Sequence, residues 1–431
     1  MPPQELDNKF PQLLQALPSN WESLAHEHKA FVLPRRFKTV AQLLRAVFLY
    51  SACDCSLREV AGWFTGRGQR RTDEAVRGRL HGCRAWLAAL LGQMLPAVSL
   101  PQAAAAQPWR LLIRDASVIN GPGAHGTDYR LHLSYDPCAQ KLDQCQLYDV
   151  HQSEGLQLFR HDARTLVLGD RGLAKATGLL AVRQAGAHFC VRMSPNYLAL
   201  RTPVGEPFEV SGALQQAGAA QALTFQVAVR ETKSGATCPA FLHARRLSEQ
   251  AANQARRRAK RRAQANGHAL KQSTLCLCDW LLLLTSVPPE VLPAEVIFEL
   301  YRVRWQIELV FKRLKSLLAL DALRAKAGSP LAEVYLWGKL LFALLLEGWA
   351  AQRVAPAELR LDGERRLTNW RLWKLLAAEF KEAVLETTAW AGLDWRAVLG
   401  VLGERRRKRK LQGLPTAVAQ WLQRQPDTAL S

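Results

Sequence analysis

Three acids stand out for what surrounds them. Asp115 follows a short apolar run in WRLLIRDAS, Asp170 follows another in RTLVLGDRG, and Glu308 lies among cations in YRVRWQIELVFKRLK. Two carboxylates at strand ends and one on a nearby helix offer hard oxygen ligands of the kind that hold Mg²⁺ or Mn²⁺. Ions held that way activate an attacking water or hydroxyl and stabilise a leaving oxygen, which is the chemistry of displacement at phosphorus. The spacing around Glu308 adds to this. Tyr301 lies seven residues before it and Arg304 four, while Lys312 follows by four and Lys315 by seven. Steps of three, four and seven put Tyr301, Arg304, Glu308 and Lys315 on one helix face. A single acid among cations fits a metal ligand with phosphate-holding groups beside it. Ordinary salt bridges account for the same spacing, and spacing alone does not choose between the two. Asp128, Asp136 and Glu154 are reserve metal ligands, and His132 reads as a packed strand residue.

The bulk composition narrows the partner. With 58 Lys+Arg against 37 Asp+Glu, the chain carries a formal charge of +21. That excess favours an anionic partner, most simply nucleic acid, because each phosphate neutralised releases counterions. A hydrophobic fraction of 48 % in 431 residues argues against wholesale disorder and for several folded units. The nine cysteines are scattered. Cys53/Cys55 and Cys276/Cys278 are each separated by one residue, which is not zinc-site spacing, so the thiols read as reduced. The opening MPPQELDNKF has no apolar run, and LLLLTSV at 281–287 is too short to span a bilayer. These features point to a cytoplasmic chain with no membrane partner.

Elements must position the acids. Residues 1–100 read as helices, including TVAQLLRAVFLY from Thr39, a capped start at Ser56 with Glu59, and a helix from Thr72 bearing Arg77, Arg79 and Arg84. Helix, turn and basic helix are compatible with DNA docking or with a solvated bundle face. PQAAAAQP at 101–108 reads as a linker. After it come strand-like segments ending at Asp115, over Tyr129–Asp136, at 144–153, ending at Asp170, and over Ala187–Ser194, with a helix in ATGLLAVRQAG. Three strands on short loops, then strand, helix and strand, predict a mixed α/β sheet. Residues 195–285 break this rhythm with strand-like parts, a basic segment at 244–267 and a strand candidate at 276–286. The basic segment holds Arg256, Arg257, Arg258, Lys260, Arg261 and Arg262, which suit phosphate contacts. A helix is predicted from Pro293 to about Leu320, then a mostly helical tail with RRRKRK at 405–410.

The motifs together resemble the bacterial insertion-sequence transposases of the IS4 family, in the DDE superfamily. That family's signature is Tyr, two residues, Arg, three residues, Glu, six residues, Lys. It stands complete here as Tyr301, Arg304, Glu308 and Lys315. RDASVINGPGAHG resembles the phrase around the family's first Asp and points to Asp115. LVLGDRGL resembles the second and points to Asp170, with Leu173 in place of a frequent aromatic.

The resemblance implies an RNase H-like core interrupted by a mostly β insertion before the Glu-bearing helix. Its divisions are a helical DNA-binding domain over 1–105, core over 106–194, insertion over 195–290, core over 291–350 and a helical basic region over 351–431. It also implies Mg²⁺ (or Mn²⁺) on Asp115, Asp170 and Glu308, and cut-and-paste transposition by nicking, hairpin formation and strand transfer. Double-stranded DNA, as terminal inverted repeats and target, would be the partner of a homodimer. Tyr301, Arg304, Trp305, Lys312 and Lys315 would contact DNA, with Trp305 either against a displaced base or in the core. An inactive DNA-binding relative or repressor, and a metal nuclease without strand transfer, are the competing functions.

Overall fold

The structure, a computed structural model, describes residues 9–95, 109–353, 360–361, 365–367, 369–385, 403–405 and 415–423, apart from 36, 68, 122, 123, 125, 196, 217 and 219. The linker at 101–108 and all of RRRKRK except Arg405 lie outside the described residues.

The N-terminal helices are α1 (Lys9–Leu14), α2 (Trp21–Glu27), α3 (Val40–Ser51), α4 (Leu57–Thr65), α5 (Asp73–His81) and α6 (Arg84–Met94). Their starts follow capping chemistry. Ser56 accepts from the Glu59 amide while the Glu59 carboxylate accepts from the Ser56 amide, so two orphan donors at the start of α4 are satisfied at once. Thr72 accepts from the Ala75 amide at the start of α5. Three basic residues of α5 and α6 are engaged within the chain. Arg77 pairs with Glu74, Arg79 donates to the Leu33 carbonyl, and Arg84 pairs with Glu333.

One nine-stranded sheet organises the rest. Its strands are β1 (Arg110–Ile119), β2 (Tyr129–Asp136), β3 (Lys141–Asp149), β4 (Thr165–Gly169), β5 (His188–Arg192), β6 (Leu200–Arg201), β7 (Ala222–Arg230), β8 (Thr237–Arg246) and β9 (Trp280–Thr285). The spatial order is β3-β2-β1-β4-β5-β9-β8-β7-β6. β4 lies parallel to both β1 and β5, and the other pairs are antiparallel. α7 (Ala176–Gln184) crosses from β4 to β5, the connection that a parallel neighbour requires. α11 (Ala294–Val303), α12 (Trp305–Leu318) and α13 (Pro330–Arg353) follow β9. After them come the short strands β10 (Arg360–Leu361) and β11 (Arg365–Leu367), α14 (Asn369–Leu385), β12 (Gly403–Arg405) and α15 (Thr416–Gln423).

Period-two alternation sorts the side chains of β1 to β4 onto two faces. Leu111, Ile113, Leu131, Leu133, Leu166 and Leu168 join a core shared with α3, α6, α11, α12 and α13. Val167, Leu156, Leu179 and Phe189 belong to the core under α7.

Four expectations change. Asp115 does not end its strand. The parallel ladder with β4 stops at Arg114↔Gly169, but β1 runs on to Ile119 because β2 keeps pairing with it. The predicted single helix breaks between Val303 and Trp305, where Arg304→Tyr301 and Ile307→Arg304 amide-to-carbonyl bonds tighten the chain into a three-residue turn. The 276–286 segment is half strand: α10 (Gln272–Leu277) precedes β9. Finally, 195–290 is mixed rather than mostly β. Besides its strands it holds α8 (Val210–Gln216), α10 and the 17-residue α9 (Glu249–Ala265), whose Ala, Arg and Gln content favours helix.

Candidate active site

Asp115 sits at the point where β1 leaves β4. One carboxylate oxygen accepts its neighbour Ala116's amide at 2.8 Å, and the other faces Arg304 Nη1 at 3.6 Å. Its antiparallel partner is Leu133, so it faces the helical core, the side from which α12 approaches. Asp170 follows the last residue of β4. Its Oδ1 accepts the amides of Gly172 and Leu173 at 2.8 and 3.2 Å, which folds the DRG segment around the acid. Glu308 lies in the first turn of α12 and accepts from Arg304 Nη2 at 2.6 Å. Arg304 therefore bridges Asp115 and Glu308.

The electrostatics show a strained set of charges. Burial pushes the Asp115 carboxyl up to about 7, helped by the charge on Asp170. Burial works against the Arg304 charge, yet Tyr301, Glu308 and Asp115 more than offset it and hold the guanidinium above its ordinary value. Tyr301 is raised by burial, with its ring centre 5.7 Å from the Arg304 guanidinium. Arg304 Nε is buried and has no hydrogen-bond partner among the described residues. Such an orphan donor is costly unless another acceptor visits.

The other cations of the signature separate. Lys315 Nζ reaches the Val118 carbonyl at 3.4 Å, near the far end of β1. Lys312 lies over the Trp370 ring at 5.4 Å. Trp305 is half exposed, an uncommon state for so large an apolar ring beside a charged centre. In α9, Arg256 is committed to Asp279 at 2.6 Å and to Asn253. Arg257, Arg258, Lys260, Arg261 and Arg262 are exposed, on the helix that joins β8 to β9.

The reserve acids divide too. Asp128 accepts the Gly121 amide at 2.5 Å, and Asp136 accepts the Cys138 and Ala139 amides and pairs with Arg110. Both belong to turns. Glu154, in contrast, stands beside Asp170 and is paired with Arg130 at 3.3 Å. His132 is fully buried, stacked on Phe159, and lowered by burial to about 4. Sequence reasoning missed Lys175, which donates to the Glu154 carbonyl at 2.5 Å, and Arg114, fully buried against His161 and Ser134 next to Asp115. No spacing signal links these partners; only the sheet brings them together.

A metal's fit rests on the donor set. Three carboxylates are the hard ligands that Mg²⁺ and Mn²⁺ take, and the repulsion between Asp115 and Asp170 is one that a cation relieves. Among the described residues no group of three or more His, Cys, Asp and Glu side chains is already gathered to hold a metal ion. The Arg304 guanidinium stands between Asp115 and Glu308.

The family model for the transposase DDE domain matches residues 110–345, which is more than half of the chain and holds all three acids. This chain belongs to the DDE transposases. It is similar to the InsL protein of insertion sequence element IS186A from Escherichia coli K12, 32 % identical over 335 residues covering 77 % of this chain and 90 % of that one. The transposase for insertion sequence element IS421 of Escherichia coli is also 32 % identical, over 336 residues and the same shares. A shorter likeness, 44 % over 61 residues, joins it to the transposase for IS231F of Bacillus thuringiensis subsp. israelensis, 14 % of this chain and 13 % of that one. These relatives agree with the IS4-type resemblance of the Glu308 motif. The family match begins at the first residue of β1 and ends inside α13. No helix among the described residues of this DDE transposase is long and apolar enough to cross a membrane.

Proposed function

We propose that this chain is an active, metal-dependent transposase in which Asp115, Asp170 and Glu308 are the catalytic acids. The observation that carries the reading is the convergence at Arg304: a strand acid and a helix acid, distant in sequence, share one guanidinium beside a second strand acid. Bound Mg²⁺ or Mn²⁺ would supply activation of the attacking oxygen and stabilisation of the leaving 3′-oxygen. Asp115, Asp170 and Glu308 are the residues to hold it. Arg304, once drawn to a DNA phosphate by its unpaired Nε, releases both carboxylates for that task. Tyr301 and Lys315 add further phosphate contacts, and half-exposed Trp305 offers a face to an unstacked base.

The order β3-β2-β1-β4-β5, with β1, β4 and β5 parallel, supports an RNase H-like core, with 195–290 as its insertion. In this reading 1–105, 106–194, 291–350 and 351–431 are the helical DNA-binding domain, the two core parts and the basic C-terminal region. The substrate is double-stranded DNA at the element's inverted repeats. The reaction proceeds by nicking, hairpin formation and joining to a target, in a dimer assembled on two ends. The exposed cations Arg257, Arg258, Lys260, Arg261 and Arg262 serve as phosphate contacts.

Incubating the protein with Mg²⁺ and DNA carrying the flanking inverted repeats tests this. Nicks, hairpins and joined products are expected. Binding without cleavage would mark an inactive relative, and cleavage without joining would mark a nuclease.

A further inference from the structure

A further carboxylate, Glu154, lies beside Asp170. Glu154 follows β3, just before the short turn at Leu156–Leu158 that packs with α7. Its two oxygens are used differently. Oε1 pairs with Arg130 Nε at 3.3 Å. Oε2 makes no hydrogen bond among the described residues and points toward Gly172. A Cβ at residue 172 would lie 3.0 Å from Glu154 Oε2 and 3.2 Å from Asp170 Oδ1. One methyl group would therefore touch both carboxylates. That explains the glycine of the DRG segment without any appeal to backbone conformation. It also sets Glu154 Oε2, which has no hydrogen-bond partner among the described residues, near Asp170 Oδ1, which takes the Gly172 and Leu173 amides.

The placement is built rather than incidental. Lys175 Nζ anchors the Glu154 carbonyl at 2.5 Å, and Arg130 donates to the Gln152 carbonyl at 2.6 Å, so both sides of the residue's backbone are fixed. Arg130 alternates with the core residue Leu131 and lies on the opposite sheet face from Asp115's partner Leu133. Glu308 thus reaches the strand acids from the helical-core face, and Glu154 reaches Asp170 from the other. A surface ion pair with Arg130 needs only one carboxylate oxygen and no approach to a like charge, which costs energy.

We infer that Glu154 is a fourth metal-ligating carboxylate, completing with Asp170 the oxygen set for a divalent cation on the face of the sheet opposite Glu308. The inference rests on the metal-dependent reading of Asp115, Asp170 and Glu308. Oxygen donors, a spare anionic charge and partial exposure suit Mg²⁺ or Mn²⁺ rather than a softer ion.

Mn²⁺ binding to the full-length protein, followed by electron paramagnetic resonance of the free ion without DNA, tests it. Glu154→Gln is expected to weaken Mn²⁺ binding by about tenfold or more, the scale seen when groups at a metal site are removed. Arg130→Gln removes the ion pair but no ligand, and is expected to leave the affinity in place. If Glu154→Gln alone fails to fold by orphaning Arg130, the double variant Glu154→Gln/Arg130→Gln removes both charges and is expected to show the same weakening. Wild-type affinity in Glu154→Gln, with affinity lost in Asp170→Asn, overturns the inference and leaves the triad standing. Equal losses of stability in Glu154→Gln and Arg130→Gln with unaltered Mn²⁺ binding also overturn it, making Glu154 the partner of Arg130 only. Wild-type affinity in Asp115→Asn and Asp170→Asn as well would overturn the metal reading of the whole centre.

Discussion

α12 is held at both ends by a cation set against an acid, and the two ends are built to opposite standards. At its start, Arg304 joins Asp115 and Glu308, keeps one buried donor without a partner among the described residues, and leaves Glu308 a third exposed. At its end, Lys339 of α13 is fully buried and donates to Asp54 at 2.8 Å and to the Leu318 carbonyl at 2.5 Å. Tyr335 donates to the same Asp54 carboxylate. There Ala319 turns left-handed (φ 49°), and Lys339 takes up a carbonyl that the helix cannot satisfy itself. The sealed end is a finished hydrogen-bond network, which fixes structure. The open end is an unfinished one, which suits a visiting ligand.

Glu308→Gln should separate the two ends most sharply. Strand cleavage is expected to fall at least ~100-fold, the upper range for losing a group at a metal site. The urea unfolding midpoint and binding to end DNA should stay near wild type. A matching loss of stability would place Glu308 with Lys339 as a structural residue.

Lys339→Met should do the reverse. Breaking a buried ion pair by removing one partner is expected to cost about 3 kcal/mol in urea unfolding. Cleavage per folded molecule should hold. Adding Asp54→Asn should recover part of the stability; no recovery would show that the Leu318 carbonyl, not Asp54, is the partner that matters.

A third acid sharpens the contrast through pH. Glu347 of α13 is pushed up to about 7 by burial, while accepting the Leu142 amide. Because the folded chain holds that proton more tightly, its contribution is complete below about pH 4.5, the ordinary value, and is lost as pH rises toward 7. Glu347→Gln should therefore stabilise the chain at pH 8 by about 3 kcal/mol and flatten the slope of stability between pH 5 and 7. An unchanged slope would mean that Glu347 stays charged in the fold.

The smallest effect is expected at Lys312. Its place over Trp370 is a cation–π contact of roughly 0.5–1 kcal/mol. Lys312→Ala should lower stability by no more than that and leave the salt dependence of DNA binding nearly unchanged. A drop of one in that slope would mark Lys312 as a phosphate contact as well.

The sequence made some of this legible and hid the rest for physical reasons. Glu308 and Arg304 are four residues apart, and their pair forms as that spacing predicts, whereas Lys312 and Lys315 turn to Trp370 and to the Val118 carbonyl. The capping of α4 by Ser56 and Glu59 is equally local, and it appears as predicted. Asp115 was legible as an acid after an apolar run, but its place inside β1 depends on how far β2 pairs, which no run of residues in β1 records. The break at Arg304 was hidden because apolar spacing continues smoothly across it. Lys339 and Asp54 meet only through tertiary packing, as do Glu154 and Asp170. α9 was legible as basic, yet the commitment of Arg256 to Asp279 was not.

The continuous sheet has a consequence for how this protein can be altered. β9 is bonded to β5 on one side and to β8 on the other, with Arg192↔Leu283 and His243↔Leu283 in register. Adding one residue to β8 or β9 would slip that register and turn every following side chain to the wrong face. The excursion between them is different. Its turn at 266–269 is exposed and already contains left-handed Gly267. Doubling the length of such a loop costs only about 0.6 kcal/mol of closure entropy. A tag or a fluorescent label belongs in that turn, where it would ride on the basic helix without disturbing the strands that hold Asp170.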